Sequence, residues 1–157
     1  MNEFKSLRSQ TILIHECIAN WVEPRVEVAD VVPHGWKNNL LWHVGHLVLV
    51  PRMLTDRLAG KDVSAWSEYT QLFGRGTSPL DWKDVHVPSL ETLCDQLRYD
   101  VIDVFDQYES DWALTFDKPF ATQTGVVLGS VSDALRFSLF HNGVHFGMMM
   151  RLVKDIG

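Results

Sequence analysis

The sequence predicts an all-α fold, a four-helix bundle with long connections, on three observations. Apolar residues return at spacings of three and four along four segments. Residues that cap helices stand at the starts of three of them, and Pro24 and Gly60 stand where two should stop. Two long stretches between the segments carry Gly and Pro and no sustained period.

The first segment covers about Asn2 to Val22, with Phe4, Leu7, Thr11, Ile14, Ile18 and Trp21 as its stripe. Residues 23–37 read as a loop. The second helix starts at Asn38 or Asn39 and continues through Leu40, Leu41, Val44, Leu47 and Val48 to about Ala59. Pro51 has no N–H to offer the Leu47 carbonyl, so a kink or break is expected there.

Residues 60–88 are expected to be irregular and packed down by Trp66, Tyr69, Phe73 and Trp82, with a short helical turn around Trp66–Phe73. Ser89 caps the third helix, Ser89 to Glu109, whose stripe is Leu90, Leu93, Leu97, Val101 and Val104. Residues 110–129 form a second connection, in which Val126-Val127-Leu128 could make a brief extended pair but nothing demands a sheet. The last helix runs from Ser130 to about Lys154, behind a capping-box-like Ser130-Val131-Ser132-Asp133. It is apolar nearly all round, which suits a central helix or one at a subunit interface.

The 157 residues, 46% hydrophobic and 22% charged, suit one globular domain over 1–157. A net charge of -6 without clustered Lys or Arg argues against nucleic acid. The apolar run from Leu40 to Val50 is broken by His43 and His46 and is too short to span a bilayer. The start of the chain lacks the basic-then-apolar order of a signal peptide, so a cytoplasmic protein is expected. Cys17 and Cys94 are expected to be small buried hydrophobes.

The histidines carry the functional information. His141 and His145 lie four apart on the last helix, on one face and about 6 Å apart along the axis. The stripe through them is Ala134, Ser138, His141, His145, Met148 and Leu152, whose small first residues leave room for a cavity. His43 and His46 form a second pair in an apolar stretch. Buried neutral imidazoles need a partner for each nitrogen, and a metal ion takes one nitrogen from each ligand. Asn142 follows His141, so this is not the metalloprotease pattern with its glutamate base.

The stretch Trp36-Lys-Asn-Asn-Leu-Leu-Trp-His-Val-Gly-His46-Leu, with His141-Asn-Gly-Val-His145-Phe-Gly147 near the end, resembles the DinB-like (YfiT-type) metal-binding bundles. The resemblance extends over nearly the whole chain. It implies a four-helix bundle, often dimeric, with zinc or nickel on three histidines that match His46, His141 and His145. Some members of that family are thiol S-transferases using bacillithiol, mycothiol or glutathione, and others are maleylpyruvate isomerase-like. This chain differs in carrying Met148 where many relatives have a polar residue, and in the Pro51 soon after His46.

The leading expectation is therefore a metal-dependent transferase in which a thiolate held on the ion attacks a small electrophile. A hydrolase using metal-activated water and a carboxylate base is the alternative, and a non-catalytic metal-binding or stress-response protein is a third. A homodimer is expected, with a small molecule, such as a low-molecular-weight thiol, as partner and neither nucleic acid nor membrane. His43, three residues before His46, is expected to support the ligands from behind, to be an additional ligand, or otherwise to be structural or exposed. His15 is read as lying beside the first stripe, and His34 and His86 as solvent-facing. Trp36 and Trp66 flank the ends of the helix carrying His46 and are candidates for the mouth of the site.

Overall fold

In the computed structural model, which describes residues 2–157, helix α1 (Glu3–Val22) begins where the Asn2 side chain accepts from the Lys5 N–H at 2.9 Å. Its buried line is Phe4, Leu7, Thr11, His15, Ile18 and Val22. These positions keep pace with a straight helix of about 3.6 residues per turn, whereas steps through Ile14 and Trp21 drift off the face. His15 is therefore in the interior, and Ile14 and Trp21 are half-buried.

Helix α2 (Leu40–Arg52) is capped by Asn39, which accepts from the Trp42 N–H at 2.8 Å. The break expected near Pro51 is a wide π-helical turn over Met53–Arg57. The chain then stops at Gly60, whose φ of +74° suits glycine, and the Lys61 N–H donates to the Asp56 carbonyl at 2.8 Å. The helical turn expected in the connection is a true short helix, α3 (Ser67–Phe73). Trp66, Tyr69, Phe73 and Trp82 meet edge to face in a chain, with ring centroids 5.4–5.5 Å apart.

Helix α4 (Leu90–Gln107) is capped by Ser89, as expected, and buries Leu90, Leu93, Cys94, Leu97, Val101, Val104 and Phe105. The following connection contains a sheet that the sequence did not demand. Strands β1 (Thr115–Ala121) and β2 (Val127–Ser130) pair antiparallel, with an irregular register between Thr115 and Phe120. Pro119 lies inside that irregular stretch and cannot donate to a ladder, which blurs the alternation a strand should show. The pair is held by its inward residues Phe116 and Leu128, which are buried with Val131.

Helix α5 (Val131–Ile156) opens with Ser130 accepting from the Asp133 N–H at 3.2 Å. Asp133 in turn accepts from the Gly129 N–H at 3.1 Å, one residue before the usual capping-box partner. The buried line of α5 is Ala134, Leu135, Ser138, Asn142, His145, Met149 and Leu152, so Met149 and not Met148 faces inward. Cys94 is buried, but Cys17 is exposed, contrary to expectation, because it follows two positions behind His15 on α1.

Four long helices, α1, α2, α4 and α5, pack pairwise: α1 and α2 each contact both α4 and α5. Two apolar clusters show their directions. Ile18, Val22, Leu40, Leu93, Met149 and Leu152 belong to one, and Phe4, Leu7, Val104, Phe105, Leu128 and Leu135 to the other. Helices α1 and α5 thus run the same way and α4 runs against them. Leu54 and Leu58, just beyond α2, join the second cluster, so α2 also runs against α1. Between the clusters lies a belt of buried polar side chains: Thr11, His15, His43, His46, Ser138, Asn142 and His145.

Among the described residues, no helix is long and apolar enough to cross a membrane. Beyond the belt, the buried Tyr108 hydroxyl donates to Asp56 Oδ1 at 2.7 Å, and Gln107 Nε2 donates to the same oxygen at 2.6 Å. Replacing Tyr108 by Phe removes one of the two donors to this buried carboxylate oxygen. Urea denaturation of Tyr108→Phe should show a loss of about 1–3 kcal/mol.

Candidate metal centre

The centre starts from helical spacing. His141 and His145 project from adjacent turns of α5, with ring centroids 4.3 Å apart. His46 reaches them from α2, its ring centroid 5.1 Å from His141 and 4.8 Å from His145. One nitrogen from each of these three residues lies within 4.8 Å of the other two, so the group can hold a metal ion. The structure thus brings together the three residues that the sequence singled out.

The rotation of α5 is set on its other side. His15 Nδ1 lies 2.7 Å from the Leu97 carbonyl, which only accepts, so this nitrogen carries the proton. His15 Nε2 then accepts from the Asn142 amide at 2.8 Å. The bridge joins α1, α4 and α5 and points Asn142 inward. It also puts His141 at the edge of the buried face and His145 nearer its centre, a correction to a stripe drawn through both equally.

His46 is oriented by α3. Its Nδ1 lies 2.6 Å from the Phe73 carbonyl, so Nδ1–H donates and Nε2 of the neutral ring keeps its lone pair. Close approach at Gly45 permits this contact: a Cβ built there would lie 2.5 Å from ring carbons of Phe73, itself fully buried. Trp42 stacks on His46 with centroids 4.6 Å apart and planes 12° apart, and its indole N–H donates to Thr77 Oγ1 at 2.8 Å.

Trp36 and Trp66 stand elsewhere. Trp36 Nε1 donates to Asp155 at 3.0 Å, and Trp66 packs edge-on against Tyr69. The tryptophan against the histidines is Trp42. His34 and His86 are exposed, as expected. His43 is fully buried, with Nδ1 2.8 Å from His145 Nδ1.

The electrostatics favour neutral rings. Burial lowers His145 to about 2, helped by the neighbouring His141, His46 and His43. Burial first, then the adjacent His46, lowers His141 to about 4. His46 is also lowered by burial, partly offset by its bond to Phe73. Neutral rings offer lone pairs at neutral pH. His141 Nδ1 is buried with no hydrogen-bond partner, a deficit that a cation bound at that nitrogen would relieve. The donor set and this orphaned nitrogen both fit a metal.

The sequence reading missed the groups that aim the rings. Phe73 acts through a backbone carbonyl, which has no residue-type signature. Asn142 acts through a partner 127 residues away. Gly45, beside His46, was the available signal, since glycine inside a helix often marks a close approach.

Residues 21–149, which include all four clustered histidines, match the family model of the DinB superfamily. No curated protein matches the chain.

Alanine at position 45 gains about 1 kcal/mol of helix propensity but overpacks a buried ring, at a cost of about 1–3 kcal/mol or more. The 2.5 Å clash makes the second effect win. Gly45→Ala should therefore lower the urea midpoint.

His15 gives a pH prediction. Burial lowers it from 6.5 to about 4, so the unfolded chain takes up its proton first as pH falls. The stability from this ring is complete above pH 6.5 and lost towards pH 4, about 3 kcal/mol in all. Metal-free His15→Leu should be about 1–3 kcal/mol less stable at pH 7.5, with the Leu97 carbonyl and Asn142 amide unpaired. Its denaturation midpoint should also fall less steeply than the wild type's between pH 6.5 and 4.

Proposed function

The chain belongs to the DinB superfamily, and on that premise we propose that its long helices form a four-helix bundle holding one divalent ion, zinc or nickel, on His46, His141 and His145. The observation that carries the reading is the convergence of three neutral imidazoles from α2 and α5, with ligand atoms within 4.8 Å of one another. No thiolate or carboxylate belongs to this set. Three-histidine sets with an open position are typical of reactive metal sites, not closed structural ones. A bound ion of this kind lowers the pKa of a water or thiol and supplies a nucleophile at neutral pH.

The chain's own residues prepare that position. Phe73 holds the His46 proton away from the cluster, and Trp42 covers the His46 ring and keeps water off that side. The reaction we assign is transfer of a low-molecular-weight thiol to a small electrophile. The thiol gives its proton to solvent, its sulfur bonds to the electrophilic carbon, and the displaced group leaves with the electron pair of the broken bond. Family membership and an all-imidazole donor set support this reading. Hydrolysis would need a carboxylate base. Asp56, the buried carboxylate among the described residues, is already engaged by Tyr108 and Gln107. A non-catalytic metal-binding role shares the same ligands and differs only in turnover.

The partner we propose besides the small thiol is a second copy of the chain, in the cytoplasm. Phe140, Val144 and Met148 lie along the outer face of α5 and are 57%, 43% and 39% exposed. An apolar stripe of this kind suits a subunit interface. Light scattering should give a dimer for the wild type and a monomer for Phe140→Glu.

Elemental analysis of untagged protein is the first test of the centre. The wild type should hold about one equivalent of metal, as a single three-histidine site does, and His145→Ala far less. No metal in either after reconstitution with zinc and nickel would overturn the proposal. Thiol-dependent turnover of a model electrophile by the loaded protein would support the transferase reading, and metal without turnover would leave the non-catalytic one.

A further inference from the structure

His43 is not one of the three converging ligands, yet it is fully covered and precedes His46 by three residues on α2. Its Nδ1 lies 2.8 Å from Nδ1 of His145, and its Nε2 is buried with no partner. Two nitrogens at that distance share one proton, because two lone pairs or two N–H groups facing each other would repel.

The neutral pair has two arrangements. In one, His145 Nδ1–H donates to His43 Nδ1. Nε2 of His145 then carries a lone pair, and His43 keeps its proton on the buried Nε2. In the other, His43 Nδ1–H donates, and His145 keeps its proton on Nε2. A neutral His145 can ligate through Nε2 only in the first.

We infer that His43 is a positioning residue for the metal centre: it accepts the Nδ1–H of His145 and so frees His145 Nε2 for the ion. The inference rests on the three-histidine reading above. His43 does for His145 what the Phe73 carbonyl does for His46, since a ligating histidine is aimed by the acceptor its other nitrogen meets. The two acceptors differ in kind. A carbonyl has no proton to give back, so His46 is locked. An imidazole can be donor or acceptor, so His145 is free to reverse until an ion selects its ligating form. Any metal-free population in the reversed form reduces the apparent affinity by the fraction that is competent.

The test uses the full chain, first with zinc and ring-15N-labelled histidine. Long-range proton–nitrogen correlation of the zinc-loaded wild type should show His145 protonated at Nδ1 and His43 at Nε2. In chelator competition His43→Leu, which removes the acceptor, should bind zinc about 10–100-fold more weakly. His43→Asn, whose amide oxygen can stand where Nδ1 was, should recover most of the loss. A folded His43→Leu that binds as tightly as wild type would overturn the inference. So would a zinc-loaded spectrum with the proton on His43 Nδ1, or with His43 itself ligating. If His43→Leu does not fold, the wild-type spectrum decides alone. If the wild type binds neither zinc nor nickel, the three-histidine reading fails and this inference with it, an outcome distinct from loss of the His43 effect alone.

Discussion

A neutral imidazole carries one donor and one acceptor, and both must be met if the ring leaves water. This chain buries His15, His43, His46 and His145 together, between two apolar clusters that could otherwise have joined into one. Much of the interior is arranged around that requirement. His15 spends its nitrogens on the Leu97 carbonyl and the Asn142 amide. His46 spends one on the Phe73 carbonyl, and His43 and His145 spend one on each other. The nitrogens that remain unmatched belong to the centre or its immediate neighbour, at His43 Nε2 and His141 Nδ1. The belt is thus nearly complete as a structural network, and Ser138 Oγ is its other buried atom without a partner.

The same bonds set the helix rotations. Asn142 faces α1 while His145, three residues on, faces α2, so α5 is gripped from two sides at the level of the centre. Thr11 and Ser138 extend the belt on α1 and α5, and small polar side chains there leave space for the rings. The apolar clusters at either end supply the burial that drives association. The belt selects which of several similar packings is adopted, because a small rotation of α5 would break both bonds at once.

Much of this was legible in the chain. Asn39, Ser89 and Ser130 cap the helices that their sequence positions suggested, since a cap is a local bond between neighbours. Spacing also singled out His141 and His145, because four residues on a helix bring side chains to one face whatever the fold, while the choice of His46 over His43 came from the family resemblance. Phase was less legible. Ile14 and His15, or Met148 and Met149, are equally good members of a helical stripe until the neighbouring helix is known, and His15 and Asn142 choose each other across 127 residues. The β1–β2 pair was hidden by Pro119 and a broken register. The Phe73 carbonyl could not be read from residue type at all, and Cys17 shows that a small apolar residue inside a helix can face outward.

The connection between α2 and α4 has an evolutionary consequence. From its sequence it is the region where length should drift most freely between relatives. The structure divides it in two. From Lys61 to Ala65 the side chains are exposed or half-covered, and extra residues would add only loop. From Leu72 to Trp82 the chain is tied to the centre. Phe73 holds His46, Thr77 receives the Trp42 indole and donates to the Gly74 carbonyl, and Trp82 donates to the Leu72 carbonyl. Insertions and deletions are compatible with the first stretch and not with the second, so one surface loop contains both a permissive graft point and a segment as constrained as the core.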